Sequence, residues 1–412
     1  MDTTIGAPFS MGINYWPRRK AMGWWRDFDA AEVRAEFAVI RDVGLSLVRI
    51  FLLWEDWQPA PDRVDEAALA NLVTVADIAA ALGLQLNVTF FTGHMSGPNW
   101  APAWLLDSRL PLQAAGPAVR QVVSGGRVRN HGYRNPFTDP TALRAAQLLL
   151  RTVVERLRGH PAVAIWNLGN EPDLFAWPPD RATGRSWVQQ MVDLIRTLDP
   201  ATPVTCGLHV KSLVEDNHLR VPDVFGSTDL AVMHGYPMYA GWSAGPLDPD
   251  FVPFLCALTS ALCGKPTLAE EFGACTAPPG APSITWAWTA YGQPRRQFMA
   301  SEEAYAAYLA AVLPRLQAAG ASGAMLWCFA DYDPALYEQP PCDEAHHERF
   351  FGLVRPDGSL KPHAAVLREF ANRQPRIAAA TRAVSLDVTP ETYYQAPLDH
   401  ARRLYGAYRA MG

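Results

Sequence analysis

No stretch of the chain carries the roughly eighteen consecutive apolar residues that a membrane span requires, so no segment reads as crossing a bilayer. Cysteine is scarce: six residues, at 206, 256, 263, 275, 328 and 342, are scattered without C-x-x-C spacing. They read as reduced, partly buried thiols of a cytoplasmic protein. The opening MDTTIGAPFSMGINYW lacks a basic start followed by a long apolar region, the pattern of a secretory signal, which favours the same location. No G-x-G-x-x-G follows an apolar run and no G-x-x-x-x-G-K-[ST] occurs, so dinucleotide and P-loop chemistry are not indicated. H-E-x-x-H and a His-x-His on the first strand are missing too, and no metal or other cofactor is expected. Charged residues are sparse at 19%, and 36 Lys and Arg against 41 Asp and Glu leave a formal net charge of -5. No basic face stands out, which argues against nucleic acid as a partner.

Apolar residues, by contrast, supply 49% of the 412 positions, enough for a large core. The 14 Trp, 13 Tyr and 17 Phe are a rich aromatic supply. Most belong in a core, but a surplus near strand ends suits a ligand with flat apolar faces, such as a sugar ring.

Short β-like runs alternate with longer helical patterns. The strand candidates are 9–15, 45–53, 84–91, 162–168, 203–209, 229–235, 266–271 and 323–329. Helices are expected over 30–42, 67–82, 141–158, 185–198, 302–319 and 362–372, the first two stopped by Gly44 and Gly83. Eight such strands in succession predict a (β/α)8 barrel over residues 1–375. A doubly wound open sheet is the alternative. A long loop with Gly, Pro and Trp from Thr92 to about Asp139 reads as functional. Residues 376–412 read as an extension, a strand over 383–388 and a helix over 398–411, packed on the barrel or on a second subunit of a possible homo-oligomer.

In a barrel of this kind the chemistry lies where the strands end. The fourth strand runs into Asn170-Glu171-Pro172, and Pro172 stops the ladder. The sixth ends in His234-Gly235-Tyr236 and the seventh in Glu270-Glu271-Phe272-Gly273. The second carries Arg49 and the eighth Trp327. Singly, an internal Arg is a salt-bridge partner and a strand-end His a satisfied core residue. Together, two strand-end carboxylates with these companions are hard to explain as packing.

These stretches resemble the retaining glycosidases of clan A, glycoside hydrolase family 5 in particular, over residues 9–372. The resemblance implies Glu171 as acid/base and Glu271 as nucleophile. It also implies Asn170 as partner of the sugar 2-hydroxyl, Arg49 and Tyr236 as contacts of the nucleophile, His234 as a lining residue, and Trp327 as the platform under the sugar. The family usually places a His at the end of strand three, where His94 is a shifted substitute. Independently of the family, retaining hydrolysis needs two carboxyls about 5–5.5 Å apart with opposite protonation. Arg49 and the Tyr236 hydroxyl are expected to keep Glu271 ionised, and its charge to hold Glu171 protonated.

Strand alternation forbids both Glu270 and Glu271 from facing the barrel, and the small Thr267 and Ala269 favour Glu271 as the inward residue. Asn170 and Glu171 then need a bulge at Gly169. Further sugar-subsite candidates are Trp54, Glu55 and Trp57 after strand two, Trp100 and Trp104 in the long loop, Trp286 and Trp288 after strand seven, Trp16, Trp24 and Trp25 after strand one, and Asn87 and His209 near strand ends. His346-His347-Glu348 reads as a solvated face, with contact to substrate as the alternative because it follows strand eight, and Asp331 and Asp333 are ambiguous. The expected activity is exo-cleavage of short β-mannosides, with an oligosaccharide or glycoside as the substrate. An endo-β-mannanase or β-glucanase/β-glucosidase, and a non-catalytic carbohydrate-binding barrel, are the alternatives.

Overall fold

The computed structural model describes residues 1–112 and 120–411; positions 113–119 of the long third loop lie outside them. Eight parallel strands form one sheet: β1 (Ser10–Asn14), β2 (Leu47–Leu53), β3 (Gln85–Thr92), β4 (Val163–Asn170), β5 (Val204–Gly207), β6 (Ala231–His234), β7 (Thr267–Phe272) and β8 (Gly323–Leu326). They are paired in the order β5-β4-β3-β2-β1-β8-β7-β6. The seam between β5 and β6 closes at its C-terminal end, where His209 and His234 form a parallel bridge. The Val210 N–H donates to the His234 carbonyl at 3.0 Å, and the His234 N–H to Leu208 at 2.9 Å. The result is a (β/α)8 barrel, the fold that near-continuous apolar strand runs predict for a sheet covered on both faces.

The helices between the strands are α1 (Ala30–Asp42), α2 (Glu66–Ala81), α3 (Pro140–Leu157), α4 (Arg181–Leu198), α5 (Val221–Ser227), α6 (Phe251–Cys263), α7 (Glu302–Ala318) and α8 (His363–Asn372). Local chemistry sets their ends. Asp29, Asp65, Asp139 and Asp180 each accept a backbone N–H from the first turn of the helix that follows. Gly44 and Gly83 take φ of 90° and 69°, the left-handed exit that stops α1 and α2 as expected. Helix α3 shows how the helical layer is held: Ala142, Ala145, Ala146, Leu149, Leu150, Val153, Val154 and Leu157 recur at helical spacing and are all buried.

Three features differ from the sequence reading. Part of the long third loop is a small sheet (Asn99–Trp100, Val122–Ser124 and Arg127–Arg129), and the segment after β7 is a hairpin of Ile284–Ala290 with Gln293–Met299. Residues 383–388 form no strand; a closed barrel offers no free edge for one to join. The chain instead runs over the outside to the helix Pro397–Arg409. There Tyr405 and Tyr408 pack on Phe254 of α6, with ring centroids 4.9 and 5.6 Å apart. The hydroxyls of Tyr393 and Tyr394 donate to the Leu213 and Ser212 carbonyls, both at 2.7 Å.

Candidate active site

At the C-terminal mouth of the barrel one side chain links three carboxyls. The Nδ1 of His234, at the end of β6, lies 3.0 Å from Glu171 Oε1 and 3.4 Å from Glu271 Oε1, while its Nε2 lies 2.9 Å from Glu270 Oε2. Oxygens of Glu171 and Glu271 approach one another within 4.8 Å. Strands four and seven therefore bring these two carboxyls together at the mouth of the barrel.

The backbone reaches this geometry through two irregularities. The ladder of β4 with β5 slips between Asn167 and Asn170, the bulge that the sequence demanded near Gly169. Glu171 then takes φ 45° and ψ 57°, a left-handed conformation costing about 1–3 kcal/mol for a residue with a side chain. Together these turn both Asn170 and Glu171 into the pocket. On β7 the register slips against both neighbours after Ala269.

That second slip overturns the alternation argument. Glu270 is fully buried inside the barrel, and Glu271 follows it inward at the mouth. The Asn87 amide donates to Glu270 at 2.7 Å, and the Asn167 amide reaches both its oxygens at 3.0 Å. Arg49 lies 3.5 Å away.

Arg49 is wholly buried and spans the network. Its guanidinium donates to Thr89 at 2.9 Å, Asn14 at 3.2 Å, Asn170 Oδ1 at 3.0 Å and Glu271 Oε1. A Cβ on Gly207 would stand 2.9 Å from it and 2.6 Å from the Gly169 carbonyl, so β5 has no side chain at that point. The second oxygen of Glu271 accepts from the Tyr236 hydroxyl at 3.1 Å. The Asn170 amide donates to the His94 carbonyl at 3.0 Å, which fixes its orientation. Above these groups opens a cavity of about 360 Å³, to which His94, His209, Tyr239, Trp327, His347 and Glu348 also contribute.

Among the described residues, Glu171, His234 and Glu271 are also the one place where three possible metal ligands meet. Arg49 already touches Glu271, and burial, which lowers the His234 pKa, is outweighed by Glu271, Glu171 and Glu270, so that it is pushed up to about 9. A divalent ion would meet two cations there, and the donor set fits a hydrolytic carboxyl pair instead.

A family model described as "Glycosyl hydrolases family 2, TIM barrel domain" matches residues 116–371. The chain belongs to this glycosyl hydrolase family. A second model, "Beta-galactosidase", matches residues 24–191. Among curated relatives, mannan endo-1,4-beta-mannosidase F of Aspergillus clavatus is 28% identical over 153 residues, 33% of this chain and 34% of that protein. The chain thus matches about a third of that relative's length. Among solved structures, a GH5_18 protein from Streptomyces cattleya in complex with GlcNAc superposes with a TM-score of 0.77 at 21% identity, covering 98% of this chain and 91% of its own. The exo-beta-1,4-mannosidase Op5Man5 from Opitutaceae bacterium strain TAV5 superposes at 0.70 with 24% identity, covering 90% and 60%. The family models and the curated relative are glycoside hydrolases by description, and the solved structures share the barrel fold.

Within this glycosyl hydrolase barrel the charges differ from the sequence expectation. Burial raises the Glu171 carboxyl, but His209 and His234 outweigh it and the net shift is downward. Burial raises Glu271 further than His234 and Arg49 lower it. The two titrate as one pair, and the more acidic member is Glu171, because His209 and His234 both face it. His209 lies 3.9 Å from Glu171, and its far nitrogen is 2.9 Å from buried Asp173. Neither Asp173 nor that pairing was recognised from sequence; the only hint was a His just past strand five.

Not every candidate reaches the cavity. Trp54 is buried in an apolar cluster with Phe91, Trp104 and Phe175, and its indole N–H donates to Gln58 at 2.6 Å. Trp104 donates to the Gln58 carbonyl at 2.7 Å, and Glu55 accepts the Gly125 N–H at 2.7 Å, which ties down the small sheet of the third loop. Trp54 and Glu55 lie on a one-turn helix, Trp54–Trp57, and neither they nor Trp104 line the cavity. Asn87 serves Glu270 from below, and Trp288 donates to the Glu344 carbonyl at 2.8 Å. His94 does line the pocket. Its Nδ1 lies 2.8 Å from Asn99, and burial with nearby Arg120 lowers its pKa to about 4, so it is neutral. His347 and Glu348 face the pocket, not solvent, and Asp331 is paired with buried Lys361 at 2.7 Å. Trp54→Ala is accordingly expected to cost about 3–5 kcal/mol of stability in urea unfolding, with KM unaltered in the folded fraction.

Proposed function

We propose that the chain is a retaining β-glycoside hydrolase of family 5 type that removes terminal sugars from short β-mannosides, with Glu171 as acid/base and Glu271 as nucleophile. The observation that carries this is the close carboxyl pair from strands four and seven, with Arg49 and Tyr236 both on Glu271. A Glu271 oxygen attacks the anomeric carbon as the bond to the leaving oxygen breaks, and the Glu171 proton passes to that oxygen. Glu171, now a carboxylate, takes a proton from water; the oxygen of that water attacks the anomeric carbon, and the glycosyl ester breaks to return Glu271. This sequence needs the proton on Glu171 and the charge on Glu271 when substrate is bound. A leaving oxygen accepting from Glu171, and sugar hydroxyls donating to Glu271, favour that distribution.

Asn170, oriented by Arg49 and His94, presents its amide to the 2-hydroxyl, and Trp327 serves as the platform under the reacting ring. The choice of mannoside and of exo action is supported by the names of the neighbours and by a cavity at the small end of the range for ligand sites. A carbohydrate-binding protein without catalysis would have no use for the buried Arg49 on Glu271. The test is a panel of nitrophenyl β-glycosides. The β-mannoside is expected to be cleaved with kcat/KM at least about tenfold above the β-glucoside and β-galactoside, releasing the β-anomer first by NMR. Turnover of none of them, or release of the α-anomer, overturns the reading. Faster loss of mannan viscosity than of terminal sugar would make it an endo-enzyme.

A further inference from the structure

A third acidic side chain faces the same cavity and plays no part in the chemistry above. We propose that Glu348 is the specificity-determining residue of this pocket, its carboxylate accepting hydrogen bonds from the 4- and 6-hydroxyls of the sugar held at Glu271. This rests on the glycosidase reading and deepens it.

Glu348 lies on a one-turn helix, His346–Phe350, in the loop that follows β8. It is only 9% exposed. Among the described residues its one ion-pair partner is His347, 3.5 Å away. Burial lowers the His347 pKa to about 4, so that partner is neutral. A buried carboxylate without a cation is costly, and packing alone gives no reason to keep one.

The groups around it are polar. The buried Ser96 hydroxyl faces it and has no hydrogen-bond partner among the described residues, nor has His347 Nδ1. The Trp327 indole and the Tyr239 hydroxyl face the same carboxyl. Burial raises its pKa to about 7 against the pull of Ser96 and Trp327; Glu271 adds to the rise, ahead of Glu171. The loop that carries it follows β8, the neighbour of β7 and Glu271 and not of β4 and Glu171, which puts the carboxyl on the nucleophile's side of the pocket. Asn170, beside Glu271, is placed for the 2-hydroxyl, which leaves Glu348 to the hydroxyls opposite the anomeric carbon.

The supporting loop is held by contacts of its own. The Arg349 guanidinium donates twice to the Cys342 carbonyl, at 3.0 and 2.7 Å, and lies 4.3 Å over the Tyr337 ring. The Thr276 and Cys328 N–H groups hold the Phe350 and Phe351 carbonyls at 3.0 and 3.2 Å. A site held in shape before binding gains affinity from each contact it makes.

The experiment is a cycle of Glu348→Ala and Glu348→Gln against nitrophenyl β-mannoside and its 4-deoxy and 6-deoxy analogues. With the parent glycoside, Glu348→Ala is expected to lower kcat/KM about 10- to 100-fold. The unaltered enzyme is expected to lose a similar factor on a deoxy analogue, and Glu348→Ala to lose nothing more on that analogue. Full additivity on both analogues, or unchanged kcat/KM, overturns the proposal while leaving the glycosidase reading intact. If Glu348→Ala does not fold, the near-isosteric Glu348→Gln decides by the same criterion. An unaltered enzyme that cleaves no β-glycoside overturns both.

Discussion

Glu271→Ala is expected to lower kcat for an activated β-mannoside more than about a thousand-fold, about 4 kcal/mol of transition-state stabilisation. The folded structure should survive. Glu271 is at the pocket mouth, and removing it relieves Arg49 and Tyr236 of one acceptor while Glu270 and Asn170 still engage the guanidinium. A small anion separates the two carboxyl roles. With Glu271 truncated, azide can enter the space it vacates and attack the anomeric carbon from that face, giving the α-glycosyl azide. With Glu171→Ala and a leaving group that needs no proton, the glycosyl ester forms normally. Azide then replaces water on the second face and gives the β-azide. Exchange of these two products between the variants would reverse the assignment, and rescue of neither would remove both carboxyls from the reaction.

The carboxyl pair was legible in the sequence because each member ends an apolar strand and is marked by its neighbours, Pro172 after one and Phe272-Gly273 after the other. The barrel was legible for the same reason: buried parallel strands are short apolar runs, and Gly44 and Gly83 punctuate the helices. What escaped depends on contacts between elements. Glu270 follows the alternation rule only if β7 is regular, and its ladder slips after Ala269 against both β6 and β8. The hairpin at 284–299 turns through Tyr291 and Gly292, both at positive φ. That is the primed-turn geometry, without the Asn-Gly or Asp-Gly pair that usually announces it. Helix α6 is buried almost all round, so no polar stripe gave it a period. The aromatic residues after β2 resembled a sugar platform in composition, but only the one-turn helix at 54–57 decides which way they point. Glu348 looked solvated because His346-His347-Glu348 is polar; the neutrality of His347 comes from burial, which the sequence does not display.

Glu270→Ala is expected to do more damage to the fold than any change at the pocket mouth. Its carboxylate is fully buried and meets Arg49, His234, Asn87 and Asn167 at once. Truncation leaves a buried guanidinium and imidazolium short of their counter-charge, a loss of about 3–5 kcal/mol in urea unfolding. Glu270→Gln keeps the shape and some hydrogen bonds, and should recover part of that stability. Neither variant touches substrate, so any effect on catalysis is one of position. Displacing Arg49 and His234 by an ångström would cost about 100-fold in kcat.

The pH dependence separates this role from mere bulk. His234 has a pKa near 9 in the folded chain against about 6.5 when free. The folded state therefore holds its proton more tightly. The stability this contributes is complete below about pH 6.5 and is lost as pH rises towards 9. In Glu270→Gln one of the anions behind that rise is gone, so the decline should move to lower pH, and the ring resonances of His234 should titrate nearer neutrality. A Glu270→Gln protein whose stability falls over the same pH range as the unaltered chain would mean that Glu171 and Glu271 alone hold the imidazolium, and Glu270 would be left as a hydrogen-bond acceptor for Asn87 and Asn167.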